Sequence, residues 1–414
     1  FSFALADLYS TAEVGRFSSA GVLFCLLLSL GLLPALVSVI PLRAGRGNPA
    51  NSERLDRVLI ATARFATGHH RLILAAALAV ALLGGWGVTL VRFSHDPVQY
   101  FDEQAPVRTA LEEIDRDLRA GSTLEVVIDT GEENGLHDPA LLQGIDTIVA
   151  DLADRTRGWL PVTRSFSVND VVKETHQALN EGRDSAYAIP VSRAVLSQEL
   201  FLFENSGSDD LDRLVDPAHR RVRLSVVTPH ADGVVYRDFV GVVDRVFEEA
   251  LPESASFVTT GGMALEVRAV TAALQSMSQS YMVAFVVISL LMIVFLAEFR
   301  LGVLSMIPNL LPIVAGIGLM GWVGAPIDMT SITIGSIGLG LVVDDTIHFM
   351  HNFQKYHQRT GDVTAATERA FLGAGRAMVV TTLVLLGCFW VDLMATLSNV
   401  VRFGVFVGLI ALFA

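Results

Sequence analysis

The chain has 414 residues, of which 52% are hydrophobic and only 18% charged, with a formal net charge of −13. Soluble domains carry about 25% charged residues, so this composition describes a membrane protein with a sizeable polar part. The acidic balance argues against a nucleic-acid partner, and both cysteines, Cys25 and Cys388, lie inside apolar runs, which excludes disulfides and thiolate metal sites.

The sequence opens at Phe1 without an initiator methionine or signal peptide and stops at Ala414 within an apolar run, so it reads as a fragment of something longer. Residues 1–41 contain a first span over 18–40, since about 20 apolar residues cross a bilayer core. Residues 42–71 hold Arg43, Arg46, Arg54, Arg57, Arg64 and Arg71 with few acids, and the positive-inside rule makes them a cytoplasmic linker. A second span over 72–91 leads outward.

Residues 92–276 are polar and acidic, with roughly 30 acids against fewer than 20 bases and no spanning run, which predicts a folded extracytoplasmic domain. Helix signals cover 106–118 and 236–251, and β-branched strand signals cover 124–128, 222–227 and 256–260. This alternation predicts an α/β sandwich of the βαβ type, in one or two copies, with a mostly helical insertion over 163–203. The domain shows no nucleophile with a base, no phosphate loop and no metal-ligand spacing, and His95, His137 and His230 are expected at its surface. Five further spans follow within 277–414, at 277–297, 301–322, 326–350, 377–395 and 400–414. The basic segment 351–376, with His351, Lys355, His357, Arg359, Arg369 and Arg376, is predicted to be cytoplasmic.

The segment TIGSIGLGLVVDDTIHFM (333–350) stands apart from the other spans. It is apolar and glycine-studded, then carries Asp344 and Asp345 side by side before it reaches water. A charge at the centre of a membrane helix costs roughly 3 kcal/mol on insertion scales, so this pair is expected to face protein or a wet cavity. Gly335, Gly338 and Gly340 let a neighbouring helix approach closely, and His348, four residues after Asp344, shares its face and offers a proton path toward the cytoplasm. His348, His351 and His357 lack a further ligand at matching spacing, so no metal is expected. GSIGLG (335–340) lies mid-membrane with no strand before it, which removes a nucleotide role, and no cofactor is expected.

Counted from the cytoplasmic ends at 1.5 Å per residue, Asp344, Asn309, Ser289, Thr381 and Thr382 all lie roughly 8 to 13 Å deep. One buried polar layer is the expectation, with Thr381, Thr382 and Asn309 bonding whichever carboxylate is charged, although Ser and Thr hydroxyls also bond their own helix backbone. Adjacent carboxylates in a low dielectric resist carrying two charges, which suits a proton carrier.

The chain ends also resemble one another. FALADL (3–8) and FWVDL (389–393) each close an apolar run in Asp-Leu, and each is followed by an Arg-Phe pair and a glycine: Arg16, Phe17, Gly21 and Arg402, Phe403, Gly404. The offset of roughly 385 residues suggests a duplicated transporter. GLGLVVDDTIHFM (338–350), IPNLLP (307–312) and the order of one span, large domain and five spans resemble the second half of a resistance-nodulation-division (RND) superfamily exporter. The similarity is nearest to the bacterial exporters grouped with MMPL and sterol-sensing-domain proteins. That resemblance implies an α-helical polytopic membrane bundle, about seven spans here, with an inserted α/β periplasmic porter domain. The whole would be a twelve-helix bacterial inner-membrane pump with Asp344 and Asp345 as its coupling carboxylates and a second acidic pair in the N-terminal half of the same chain. The function expected is ion-gradient-driven export of hydrophobic or lipid-like molecules, with the proton as the first choice of ion and sodium as the other, since carboxylates serve either. A sterol-sensing-like lipid receptor and an auxiliary subunit of protein export are the alternatives. Membrane lipids and a hydrophobic substrate are the expected partners, and a homo-oligomer is left open.

Overall fold

The computed structural model describes Ala4 and residues 9–40, 49–207 and 210–414. Most of the FALADL stretch, together with Pro41, Arg43 and Arg46, lies outside the described residues. The chain forms two compact units, one from Phe1–Ser94 with Thr271–Ala414 and one from His95–Val270.

In the first unit, helices α1 (Tyr9–Val39), α2 (Pro49–Gly68) and α3 (His70–Leu90) come first. The segment expected to be a linker is therefore largely helical. Leu59 and Ala63 of α2 are buried, which gives the helix an apolar side to pack with.

The second unit contains α4 (Pro106–Leu118), β1 (Ser122–Asp129), α5 (Pro139–Thr156), β2 (Arg164–Phe166), α6 (Val168–Leu179), α7 (Arg193–Glu204), β3 (Arg221–Thr228), α8 (Gly233–Ala250) and β4 (Ser256–Thr260). Its strands form one antiparallel sheet of order β2-β3-β1-β4. With α5 and α8 as the connecting helices, this is a single βαββαβ sandwich rather than two. Leu124, Val126 and Ile128 alternate inward from β1, Val222, Leu224 and Val226 from β3, and Phe239, Val243 and Val246 of α8 cover them. The helical insertion starts after β2 and runs on to β3, past the expected end at 203. At the end of β4, Gly261 turns the chain with φ +86°, and a Cβ there would strike Glu125.

Helix α9 (Gly261–Leu296) begins in the second unit, well before the predicted 277, and continues into the first, which then holds α10 (Phe299–Leu304), α11 (Met306–Trp322), α12 (Ile334–Thr360), α13 (Val363–Trp390) and α14 (Ser398–Phe413). Among the described residues, six helical stretches are long and apolar enough to span a membrane: Ala12–Val39, His70–Leu90, Gly261–Leu296, Phe299–Trp322, Ser331–Thr360 and Val363–Met394. The seventh expected span corresponds to α14, which has 16 residues. The span predicted from 326 becomes helical only at Ser331, because Ile327 pairs with Phe93 and Asp328 accepts hydrogen bonds from the Thr330 and Ser331 N–H groups. On the first unit's other flank, α2 lies along α13, with Leu59 filling the space over Gly375 and Arg64 bonded to Glu368 at 2.7 Å.

The tightest helix contact joins α3 to α11. Cβ atoms built on Gly87, Gly318 or Gly321 would run into the facing backbone, so only hydrogen fits between these helices. Trp322 seals the contact, donating its Nε1–H to the Leu83 carbonyl at 3.0 Å and meeting Trp86 edge-on. Gly85, by contrast, faces open space.

Histidines expected at the surface are instead part-buried and bonded. His137 lies 2.7 Å from His219 and 2.7 Å from Ser197, and His95 meets the Tyr100 hydroxyl at 3.3 Å. His230 Nε2 lies 2.9 Å from Asp96, a carboxylate only 6% exposed. Helix and strand patterns carry no information about such partners, which come from distant segments. The hydrogen bond to Asp96 raises the His230 pKa, against the opposing effect of burial. For Asp96, burial favours the neutral acid, but His230 and the bonds from Val98 and Gln99 outweigh it and lower the pKa.

Two outcomes follow. Gly87→Ala should lower the thermal midpoint of the purified protein by an amount equivalent to about 1–3 kcal/mol, whereas Gly85→Ala should not; equal effects would show that the close approach is unimportant. The His230–Asp96 pair should contribute fully below about pH 6.5, the ordinary histidine value, and lose that contribution as pH rises through the raised folded value. Amide exchange at residues 95–100 should therefore accelerate on the alkaline side in the wild type and show no such step in His230→Gln.

Candidate functional site

Asp344 and Asp345 lie on α12, where it runs beside α13. Between the two helices is a groove of about 320 Å³, with Leu341, Val380 and Val384 as apolar walls and Asp344, Asp345 and Thr381 as polar points. Asp345 is half-buried, while the Asp344 side chain is 66% exposed and lies 3.6 Å from His348 Nε2. The carboxylates therefore sit in an open groove rather than sealed among the described helices. The groove wall is itself uncovered, with Val380 and Val384 each 58% exposed.

The expected polar layer divides in two. Asn309 of α11 is fully buried and accepts a short hydrogen bond from Thr346, the residue after the aspartates. It thus touches the carboxylate-bearing turn through Thr346 and not through a carboxylate. Successive helix residues point about 100° apart, so Asp345 and Thr346 on the same turn address different neighbours. Thr381 donates to the Ala377 and Met378 carbonyls and Thr382 to Met378, so both hydroxyls are spent on their own helix, though Thr381 still lines the groove. The Ser289 hydroxyl oxygen is buried without a hydrogen-bond partner among the described residues.

The three glycines of α12 differ in role. A Cβ on Gly338 would press on Ile410 at 3.0 Å, and one on Gly335 would reach Tyr281 at 3.4 Å. Gly340 meets nothing within 4 Å and opens onto the groove. Among the described residues, no group of three His, Cys, Asp or Glu side chains is placed to hold a metal.

A second charged locus at the other end of α12 was not anticipated from the sequence. Asp328 is 1% exposed and accepts from Arg402 of α14 at 3.0 Å, while Asn399 donates to the Thr330 hydroxyl at 2.9 Å. The signal was available: an arginine within an apolar helix needs a counter-charge, and Asp328 is the acid at the start of the facing span. Thr346 could likewise have been paired with Asn309 from their matched depth.

The model of the AcrB/AcrD/AcrF family matches residues 243–398, from within α8 through all of α13. A membrane protein of Methanocaldococcus jannaschii, MJ1562, is 25% identical over 221 residues, covering 51% of this chain and 48% of the relative. The chain spans about half the length of that curated relative. The family match covers the aspartate groove and the spans around it, and over those residues the chain is similar to the AcrB/AcrD/AcrF family.

Proposed function

We propose that this chain is the C-terminal half of an ion-driven exporter of hydrophobic or lipid-like molecules in a bacterial inner membrane, of the MMPL-like branch. In this assignment the unit His95–Val270 is the periplasmic porter domain. The observation that carries the proposal is the groove between α12 and α13, where two adjacent carboxylates stand among apolar side chains of membrane-length helices.

Carboxylates in that position demand compensation, by a proton, by a cation or by polar groups of another segment. The uncovered walls beside Asp344 are suited to a helix from the N-terminal half, which would close the groove and complete the ion path. Taking up a proton removes a charge from the closed groove, and releasing it restores one, so occupancy favours different packings of α12 against its neighbour. His348, one turn from Asp344 toward the end of α12, can pass the proton on. Asn309 and Thr346 position the turn: their bond holds α12 against α11 while the opposite face of the helix changes partners. Gly340 leaves space on that face for the movement.

Efflux of Nile red, a neutral hydrophobic dye, from proteoliposomes holding the full-length protein under an imposed proton gradient tests this directly. Asp344→Asn and Asp345→Asn should each reduce gradient-driven efflux at least tenfold while folding normally; undiminished efflux in either folded variant would sink the mechanism. Thr346→Val should reduce efflux less, by a few fold, and should lower thermal stability by about 1 kcal/mol through the lost hydrogen bond. A variant with normal stability and normal efflux would remove Thr346 from the machinery.

A further inference from the structure

Three short polar contacts run in a line through the unit His95–Val270. The Ser197 hydroxyl lies 2.7 Å from His137 Nδ1, His137 Nε2 lies 2.7 Å from His219 Nδ1, and His219 Nε2 lies 2.7 Å from a Glu204 carboxylate oxygen. Both ends of the line belong to α7, at i and i+7 and so on one face of the helix. The two rings come from elsewhere, His137 from the turn after β1 and His219 from the loop before β3. Helix α7 is thus strapped to two loops of the sandwich through a pair of imidazoles.

The number of protons on this line decides whether it holds. With both rings neutral every contact is a hydrogen bond: Ser197 donates to His137, His137 to His219, and His219 to the Glu204 carboxylate. One added proton is absorbed. His137 then donates from both nitrogens, while the Ser197 hydroxyl accepts and turns its own proton to the Arg193 carbonyl, 2.9 Å away. A second added proton sets N–H against N–H between two cationic rings, and no tautomer restores the bond.

The surroundings resist that second charge. Burial, the His219 ring and the Arg193 guanidinium hold the His137 pKa below the ordinary histidine value, and Glu204 offsets them only in part. A ring held neutral in the fold contributes its stability above about pH 6.5 and loses it as pH falls through the lower folded value. Glu204, with a side chain 42% exposed, opens the line to solvent protons, whereas Asp216 in the His219 loop is occupied by the Arg220 and Arg221 N–H groups. The other histidine contact of α7 withstands acid, because His176 lies 2.7 Å from the buried Glu199 and becomes its counter-charge on protonation.

We propose that the line Ser197–His137–His219–Glu204 is a pH-operated latch, which holds α7 against the two loops at neutral pH and releases it when both rings are charged. Leu196 and Leu200 keep α7 in the apolar core and His176 keeps it on α6, so release loosens the helix without unfolding the unit. The latch makes the mobility of the helical insertion a function of the acidity around this unit. It is independent of whether the groove of α12 couples an ion.

Hydrogen–deuterium exchange on the whole chain in phosphatidylcholine nanodiscs, corrected for the intrinsic effect of pH on exchange, reads the latch at about pH 7.5 and about pH 5, on either side of the ordinary histidine value. Protection over residues 193–204 should fall several-fold at the lower pH while protection over 139–156 holds. His137→Gln and His219→Gln each leave a single ring, which takes up a proton without meeting a second cation, so both variants should lose the pH step. His176→Gln should keep it. The latch is overturned by the absence of a step in the wild type, by an equal step over 139–156, by a step that persists in either folded glutamine variant of the pair, or by loss of the step in His176→Gln.

Discussion

A charge inside hydrocarbon must be compensated, and α12 and the turn before it meet that constraint differently at two positions. Asp328, at the start, is fully answered: its oxygens accept two backbone N–H groups and the guanidinium of Arg402, and almost none of it is exposed. Asp344 and Asp345, further along, are only partly answered, by one histidine and an open groove. A fully satisfied pair fixes structure, because breaking it strands a buried charge. A partly satisfied pair leaves a demand that a proton, an ion or another segment can fill, and that difference separates a structural charge from a candidate working one.

Helix packing follows the same division. The α3–α11 contact is closed by glycines on both sides, with Trp322 reaching across to the Leu83 carbonyl. Such backbone-to-backbone contact leaves no room for sliding. Around α12 the packing is graded: Gly338 is filled by Ile410, Asn309 is locked to Thr346, and Gly340 faces space. The helix is therefore anchored to α11 and α14 on one side, while its aspartates stand in the open groove that it forms with α13.

The α/β unit is organised by a different force. Its core is a continuous apolar cluster from β1, β3, α5 and α8, which the insertion between β2 and β3 extends with Leu196 and Leu200 of α7. Polar pairs such as His230–Asp96 and His137–His219 tie loops to that core. Helix α4 remains outside it, amphipathic but unburied.

Periodicity and hydropathy determined much of this protein in advance. The spans, the strands at 124–128, 222–227 and 256–260, and the helices at 106–118 and 236–251 all answer to patterns within a dozen or so residues, although 106–118 carries its apolar period with no residue buried. The three-residue β2 was invisible because Arg164 and Phe166 are exposed and no alternation marks it. The aspartate pair was legible because charge in an apolar run is costly wherever the chain folds. What only the tertiary structure decided is which residues from remote segments meet: Asp328 with Arg402, Asn309 with Thr346, His230 with Asp96, and the face of α12 that stays open. Depth along a span can be counted from sequence, but rotation about the helix axis is set by the neighbours it packs against, and that rotation placed Thr346 on Asn309 and left the carboxylates to the groove.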